Sequence, residues 1–327
     1  MAQSRAATSY DDVTRQRKND WSSQQVAFRH FNNYVKKTLI QFALDRALAN
    51  GAASPAEGAS VLDLASGRGG DIGKWFFMQS PAQSNPRAPS AALQTSRYDC
   101  YDISPECISE AERRCKEMVA AMEHPPRCGA TFTVADCFSE SFLRDTLTSS
   151  PQFGRYTIVS IQFAFHYACK TVELMRDVIA TIADALAPGG VVLITTVDIA
   201  ALSRRVAEGT LGNALYHITL SAPPEYTAAT DGSALLATGT EYHFHLDGFV
   251  DCPEYVVPCE AVTHCASESH LRLCDSVSMP FSGFLPSYSA SWKLNKGNKL
   301  SGAELELVTL YRTLCFEKVA PPSSPPH

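Results

Sequence analysis

The run Val61–Trp75 (VLDLASGRGGDIGKW) constrains this chain more than any other feature. Val61–Leu64 reads as a short buried strand, Gly67–Gly70 as a turn, and Ile72–Met78 as a helix with Asp71 at its N-cap. Gly67, Gly69 and Gly70 lack side chains, so the turn can take positive φ values and let a ligand approach its backbone. In an open α/β sheet, ligands bind at such a turn after the first strand. A dinucleotide site needs G-x-G-x-x-G, with the pyrophosphate on the helix N-terminus. Here the run is Ala-Ser-Gly-Arg-Gly-Gly, and Asp71 stands where it would repel a phosphate. A ligand bearing an ammonium and a sulfonium fits better. The alternative is a tight strand–helix turn with no ligand.

Beyond Trp75 the strand–helix alternation repeats. Strands are expected at Arg97–Tyr101, Thr131–Ala135, Thr157–Gln162 and Val191–Thr196. Helices are expected from Pro105 to about Ala121 and over Val172–Leu186, the latter stopped by Pro188–Gly189–Gly190. Ahead of the loop, Phe31, Val35, Leu39, Phe42 and Leu48 recur near helical spacing and predict a helix over about 28–50. This pattern predicts a doubly wound, mostly parallel α/β sheet. Later elements break the alternation. Thr240–Leu246 and Tyr255–Val257 read as strands, Pro258–Ser269 as a helix and Val308–Glu317 as a last strand. An antiparallel β insertion is therefore expected at about 210–258. Residues 1–27 read as a flexible arm, 28–319 as one domain, and 320–327 as a disordered tail. Ser80–Ser96 is a surface loop longer than a βα unit needs.

Charge limits the partners. The 327 residues carry a formal net charge of −6, which does not suit a protein that grips long nucleic acid through its phosphates. A short stretch or a strand end is compatible. No run of 18 apolar residues exists, so a membrane span is not expected. The opening MAQSRAATSYDD has no apolar signal core, so secretion is not expected either, and Arg15, Arg17 and Lys18 form only a weak nuclear-type cluster. Eleven scattered cysteines without C-x-x-C read as free thiols; a zinc site near Cys259, His264 and Cys265 is the alternative reading, and no metal is assigned.

Two further acids fall at strand ends. Asp102, after the second strand, can accept hydrogen bonds from both hydroxyls of a ribose. Asp136, after the third, can reach an adenine amino group. Gln162–Tyr167 (QFAFHY) ends the fourth strand with three aromatics and a histidine, a composition suited to stacking a flat substrate. Each residue alone has a bland reading, as strand-end acid or core. In order, along one sheet edge, they form a nucleoside site.

With these motifs in hand, the chain resembles the messenger RNA cap guanine-N7 methyltransferase family, class I S-adenosylmethionine-dependent methyltransferases. The resemblance covers roughly residues 28–319 and implies that the α/β sheet is a seven-stranded Rossmann-like methyltransferase sheet. It rests on RHFNNYVKKTLI at 29–40, the loop at 61–75, YDIS at 101–104, IQFAFHY at 161–167, EYHFHLDGFVDCPEY at 241–255 and LYRTLCFEK at 310–318. It implies that Lys36, Ala65, Gly67, Asp102, Asp136, Gln162, Phe163 and Tyr167 bind S-adenosylmethionine. It implies that Asn32, Asn33, Arg68, Lys74, His166, Glu254 and Tyr311 bind the cap, with Arg68 and Lys74 facing its phosphates and Tyr167 beside the guanine. It further implies a 5′-capped RNA substrate, a nuclear or nucleocytoplasmic setting, a monomeric catalytic domain, and capping enzymes or RNA polymerase II as partners. The family has Gly-Cys where this chain has Ala65–Ser66, and Lys where it has Arg68. Alanine at 65 allows a close backbone approach if its φ is negative.

Guanine N7 carries a lone pair and no proton, so its methylation needs no general base. His166, Tyr167 and Glu254 are expected to position the base and to offset the positive charge that grows on it, with Phe165 and Tyr167 offering aromatic faces. The alternatives are a methyltransferase acting on another RNA position or a small molecule, and a non-catalytic cap-binding scaffold.

Overall fold

The computed structural model describes residues 8, 11, 26–78, 93–123, 128–295 and 299–320. The expectations for most of the arm, most of the Ser80–Ser96 loop and most of the tail fall outside these residues. A first helix, α1 (Val26–Ala49), precedes the glycine turn. Its buried Phe28, Phe31, Val35, Leu39, Ala43 and Ala47 recur every three or four residues and form one apolar stripe.

The stripe covers one face of a seven-stranded sheet. Its strands are β1 (Ala59–Leu64), β2 (Thr95–Asp102), β3 (Gly129–Val134), β4 (Tyr156–Gln162), β5 (Leu186–Val197), β11 (Leu271–Leu273) and β12 (Tyr311–Lys318). Their order is β11-β12-β5-β4-β1-β2-β3, with β1 to β5 parallel and β12 antiparallel to both β5 and β11. Strand order reverses between β1 and β4, which leaves a crevice at the carboxyl ends of these central strands. The helices α2 (Ile72–Phe77), α3 (Pro105–Ala120) and α4 (Val172–Ala185) provide the crossovers. Ser104 caps α3 by accepting from the Cys107 amide, with Pro105 in the first turn. Two apolar cores result. One lies under α1 and contains Trp75, Tyr98 and Phe281; the other lies under α4 and contains Phe165, Met175 and Phe316.

After β5 come α5 (Ile199–Glu208), β6 (Tyr216–Leu220), β7 (Tyr226–Ala228), β8 (Ala234–Leu236), β9 (Glu241–Leu246) and β10 (Val250–Tyr255). The order β10-β9-β6 makes a second, antiparallel sheet, and β7 pairs with β8. The helices α6 (Cys259–Glu268), α7 (Leu285–Asn295) and α8 (Gly302–Val308) complete the chain up to β12.

Two expectations are corrected. The strand expected at Tyr255–Val257 is Val250–Tyr255, in register with β9. Val256 and Val257 are buried beyond the strand's end, with the Val256 amide donating to the Thr240 carbonyl at 3.0 Å. The strand expected from Val308 begins at Tyr311, because a Ser301–Glu304 capping box starts a helix that runs through Val308. No helix among the described residues is long and apolar enough to cross a membrane.

Candidate active site

The crevice is a cavity of about 580 Å³, lined by α1, the turns after β1, β2, β3 and β4, the β9–β10 hairpin and Tyr311. That volume is of the size usual for small-molecule sites. Of the fifteen residues predicted from sequence, all line it except Lys74.

One end is built by local backbone. After β1 the chain turns through Ala65 (φ 55°) and Gly67 (φ 57°). The positive φ at Ala65 is a correction, because a negative value was the condition for tolerating alanine there. The left-handed conformation costs a residue with a Cβ about 1–2 kcal/mol. The Gly67 amide donates to Asp102 Oδ2 at 2.8 Å and the Ser104 amide to Oδ1 at 2.9 Å. Asp102 is thereby aimed at the cavity, with burial holding its carboxyl above the usual range against both bonds. Asp136 takes the Phe138 amide at 3.2 Å, and burial raises it likewise.

Asp71 makes no side-chain cap. Its two oxygens hold Lys36 Nζ at 2.7 Å and Lys74 Nζ at 2.6 Å. Burial alone would raise the Asp71 carboxyl, but the two lysines outweigh it and keep it low. Lys74 is therefore held by Asp71 and by the Gly70 carbonyl at 3.0 Å, and at 9% exposure it does not line the cavity. Nor does Asp71 act as a bare negative charge, as its sequence position suggested. Arg68 lines the cavity with its Nη2 3.7 Å from Glu110, while Arg114 donates to the Arg68 carbonyl. Lys36 also lies 5.3 Å from the Phe163 ring centre. Sequence reading missed Asp63. Burial and nearby Asp71 push it up to about 7 against a 2.6 Å bond from Tyr98, and a lone carboxylate inside an apolar strand was the available signal.

The other end is assembled from distant segments. Phe163 leaves β4 at φ 59°, a strained value for an aromatic residue, with its amide bound by Thr195. Gln162 Oε1 accepts from the same Thr195 hydroxyl at 3.2 Å. Beyond it, the His166 ring is buried at 2% exposure, and burial depresses its pKa to about 3, so it is neutral. Its Nε2 lies 3.6 Å from Glu254 Oε1 and has no hydrogen-bond partner among the described residues. Burial pushes Glu254 up to about 8, against a 2.8 Å bond from the Tyr242 hydroxyl. The two residues are thus a close neutral contact rather than an ion pair. Tyr167 packs on His166 with ring centres 4.2 Å apart, and its hydroxyl lies 3.0 Å from Cys252 Sγ. Tyr311 stands edge-on to Phe163 at 5.2 Å. Asn32 and Asn33 reach in from α1, with Asn32 Oδ1 lacking a hydrogen bond among the described residues. Phe165 is a correction: it is fully buried in the core under α4 and offers no face to a substrate. Also missed were Phe28, Phe244 and the Asp247–Phe249 turn, all of which line the cavity. None of the eleven cysteines forms a disulfide, and away from the cavity His264 pairs with Glu268 at the surface.

A sheet of this order, with a glycine turn after β1 and carboxylates following β2 and β3, makes a Rossmann-like α/β fold whose site suits a nucleoside-bearing ligand. Residues 2–319 match the model of the mRNA (guanine-N(7))-methyltransferase domain, and the chain belongs to that family. The mRNA cap guanine-N(7) methyltransferase of Caenorhabditis briggsae is 30% identical over 84% of this chain and 66% of its own length. That of Caenorhabditis elegans is 31% identical over the same shares, and that of Schizosaccharomyces pombe is 29% identical over 76% of this chain and 60% of its own. The chain thus spans somewhat less than two thirds of these relatives.

Proposed function

We propose that this protein transfers the methyl group of S-adenosylmethionine to N7 of the guanine that caps messenger RNA. The observation that carries the reading is the buried pair of His166 and Glu254 in the same cavity as Asp102 and the glycine turn. The residues at the turn fit the cofactor. A Cβ at Gly67 or Gly70 would meet nothing within 4 Å, so that backbone is open to a ligand. Asp102 and Asp136 supply acceptors for ribose and adenine, and Lys36 a cation for a carboxylate. Bound there, S-adenosylmethionine supplies an electrophilic methyl group.

The chain's own task is positioning. Glu254 accepts from the N1 and amino hydrogens of guanine, the neutral His166 and Tyr167 bound its plane, and Tyr311 closes the opposite side. As N7 gains the methyl group, positive charge spreads over the ring, and the Glu254 carboxylate stabilises that charge more than it stabilises the ground state. Alignment of N7 with the methyl–sulfur bond can contribute on the order of 7–11 kcal/mol without acid–base help. Arg68 and Arg29 on the cavity wall suit the cap phosphates. Such a role belongs in the nucleus, where capping enzymes and RNA polymerase II are its natural partners. The test is methyl transfer from labelled S-adenosylmethionine to GpppN-ended RNA, with digestion of the product. The expected product is 7-methylguanosine at the cap. A methyl group on an internal base, or transfer to a small molecule alone, would contradict the reading.

A further inference from the structure

Glu254 does not hold itself in place. It sits on β10 directly opposite Tyr242 on β9, and both are enclosed, at 4% and 0% exposure. The Tyr242 side chain does not line the cavity, yet its hydroxyl donates to Glu254 Oε2 at 2.8 Å. The other oxygen, Oε1, lies on the His166 side. We propose that Tyr242 is a positioning residue for guanine recognition: by occupying one oxygen of Glu254 as a donor, it turns the other toward the base and favours the ionised carboxylate that the base requires.

This inference rests on the cap reading of the cavity. Guanine offers two donors on the edge that Glu254 would meet, N1–H and the 2-amino group. A protonated carboxyl opposes one of these donors with its own, so binding requires Glu254 to give up its proton. Burial resists that loss and the tyrosine hydrogen bond assists it. The other groups nearby cannot substitute. His166 is held neutral by burial, and Tyr311 is pushed well above the usual tyrosine range. Cys252, whose Sγ meets the Tyr167 hydroxyl, carries no fixed positive charge. No cation among the described residues pairs with Glu254, and among those residues the Tyr242 hydrogen bond is the contact that lowers its pKa.

Tyr242→Phe keeps the ring and removes the donor, so the Glu254 proton is held to higher pH. The acid limb of kcat/KM for capped RNA is expected to move up by about one pH unit, with about a tenfold loss at pH 7 that shrinks to about twofold at pH 9. Binding of S-adenosylhomocysteine and the melting temperature report whether the fold is kept. If the phenylalanine variant fails to fold, 3-fluorotyrosine at position 242 provides the opposite perturbation. Its more acidic hydroxyl donates more strongly, and the limb is expected to move to lower pH. A limb that stays in place in either folded variant, whatever the change in rate, overturns the proposal. Wild-type protein inactive on capped RNA would overturn the cap reading itself, whereas an active wild type with an unmoved limb in the variant overturns only the role of Tyr242.

Discussion

The two ends of the cavity are built on opposite principles. At the glycine-turn end, the Asp71 and Asp102 carboxylates have their partners before any ligand arrives. Asp71 is shared between two lysines, and Asp102 accepts two backbone amides. At the Glu254 end, a carboxyl and an imidazole are buried side by side without a counter-charge among the described residues, and burial moves both toward neutrality. The first end is a preformed cradle whose geometry the backbone dictates. The second carries a standing cost that a ligand with donors can relieve. Buried polar groups that lack partners are unfavourable for stability and concentrate where function requires them.

This contrast predicts separable losses. Glu254→Ala is expected to reduce kcat/KM on capped RNA by about 10²–10³-fold, the scale of losing one buried charge-stabilising group. Its affinity for S-adenosylhomocysteine should stay within about twofold, as calorimetry can measure. An equal loss at both ends would break the comparison. Asp102→Ala should do the reverse, weakening the cofactor product by about 10–100-fold while leaving the binding of a cap dinucleotide close to wild type.

Stability sharpens the same contrast. Glu254 has a folded pKa of about 8, above that of an unfolded glutamate. The penalty for burying it is therefore absent below the unfolded value near pH 4, grows as pH rises between the two, and is complete above the folded value. Glu254→Gln, which never ionises, should raise the melting temperature of the ligand-free protein by about 3–8 °C at pH 8 and hardly at all at pH 4. The smallest effect concerns Lys74. Since it neutralises Asp71 inside the fold, Lys74→Met should lower the melting temperature by a few degrees and change kcat/KM on capped RNA by less than about threefold. A marked change in the salt dependence of RNA binding would restore its role as a phosphate contact.

The same division governs what the sequence could reveal. The cradle occupies one continuous run plus two strand-end aspartates, so glycine placement and strand periodicity exposed it, and the parallel sheet followed from the alternation around it. The Glu254 end joins residues from 32 to 311, and no local spacing connects Asn32, His166, Glu254 and Tyr311; only the resemblance of whole motifs did so. Side-chain direction was not legible at all. Lys74 and Phe165 have residue types suited to a site, but helix phase turns Lys74 onto Asp71, three positions back, and Phe165 points into the core under α4. Tyr242 went unnoticed because an alternating tyrosine in a half-buried strand is ordinary, and its value depends on the cross-strand register with Glu254. The positive φ of Ala65 was hidden by the residue itself, since alanine rarely adopts it; the glycine that the family carries there was the signal.

The most direct measurement is a crystal structure with S-adenosylhomocysteine and a GpppG cap dinucleotide bound together. The homocysteine product is expected on the turn after β1 with its ribose on Asp102. The capping guanine is expected against Glu254 and His166, with N7 facing the sulfur. A guanine bound outside this cavity, or held with N7 turned away from the sulfur, would contradict it.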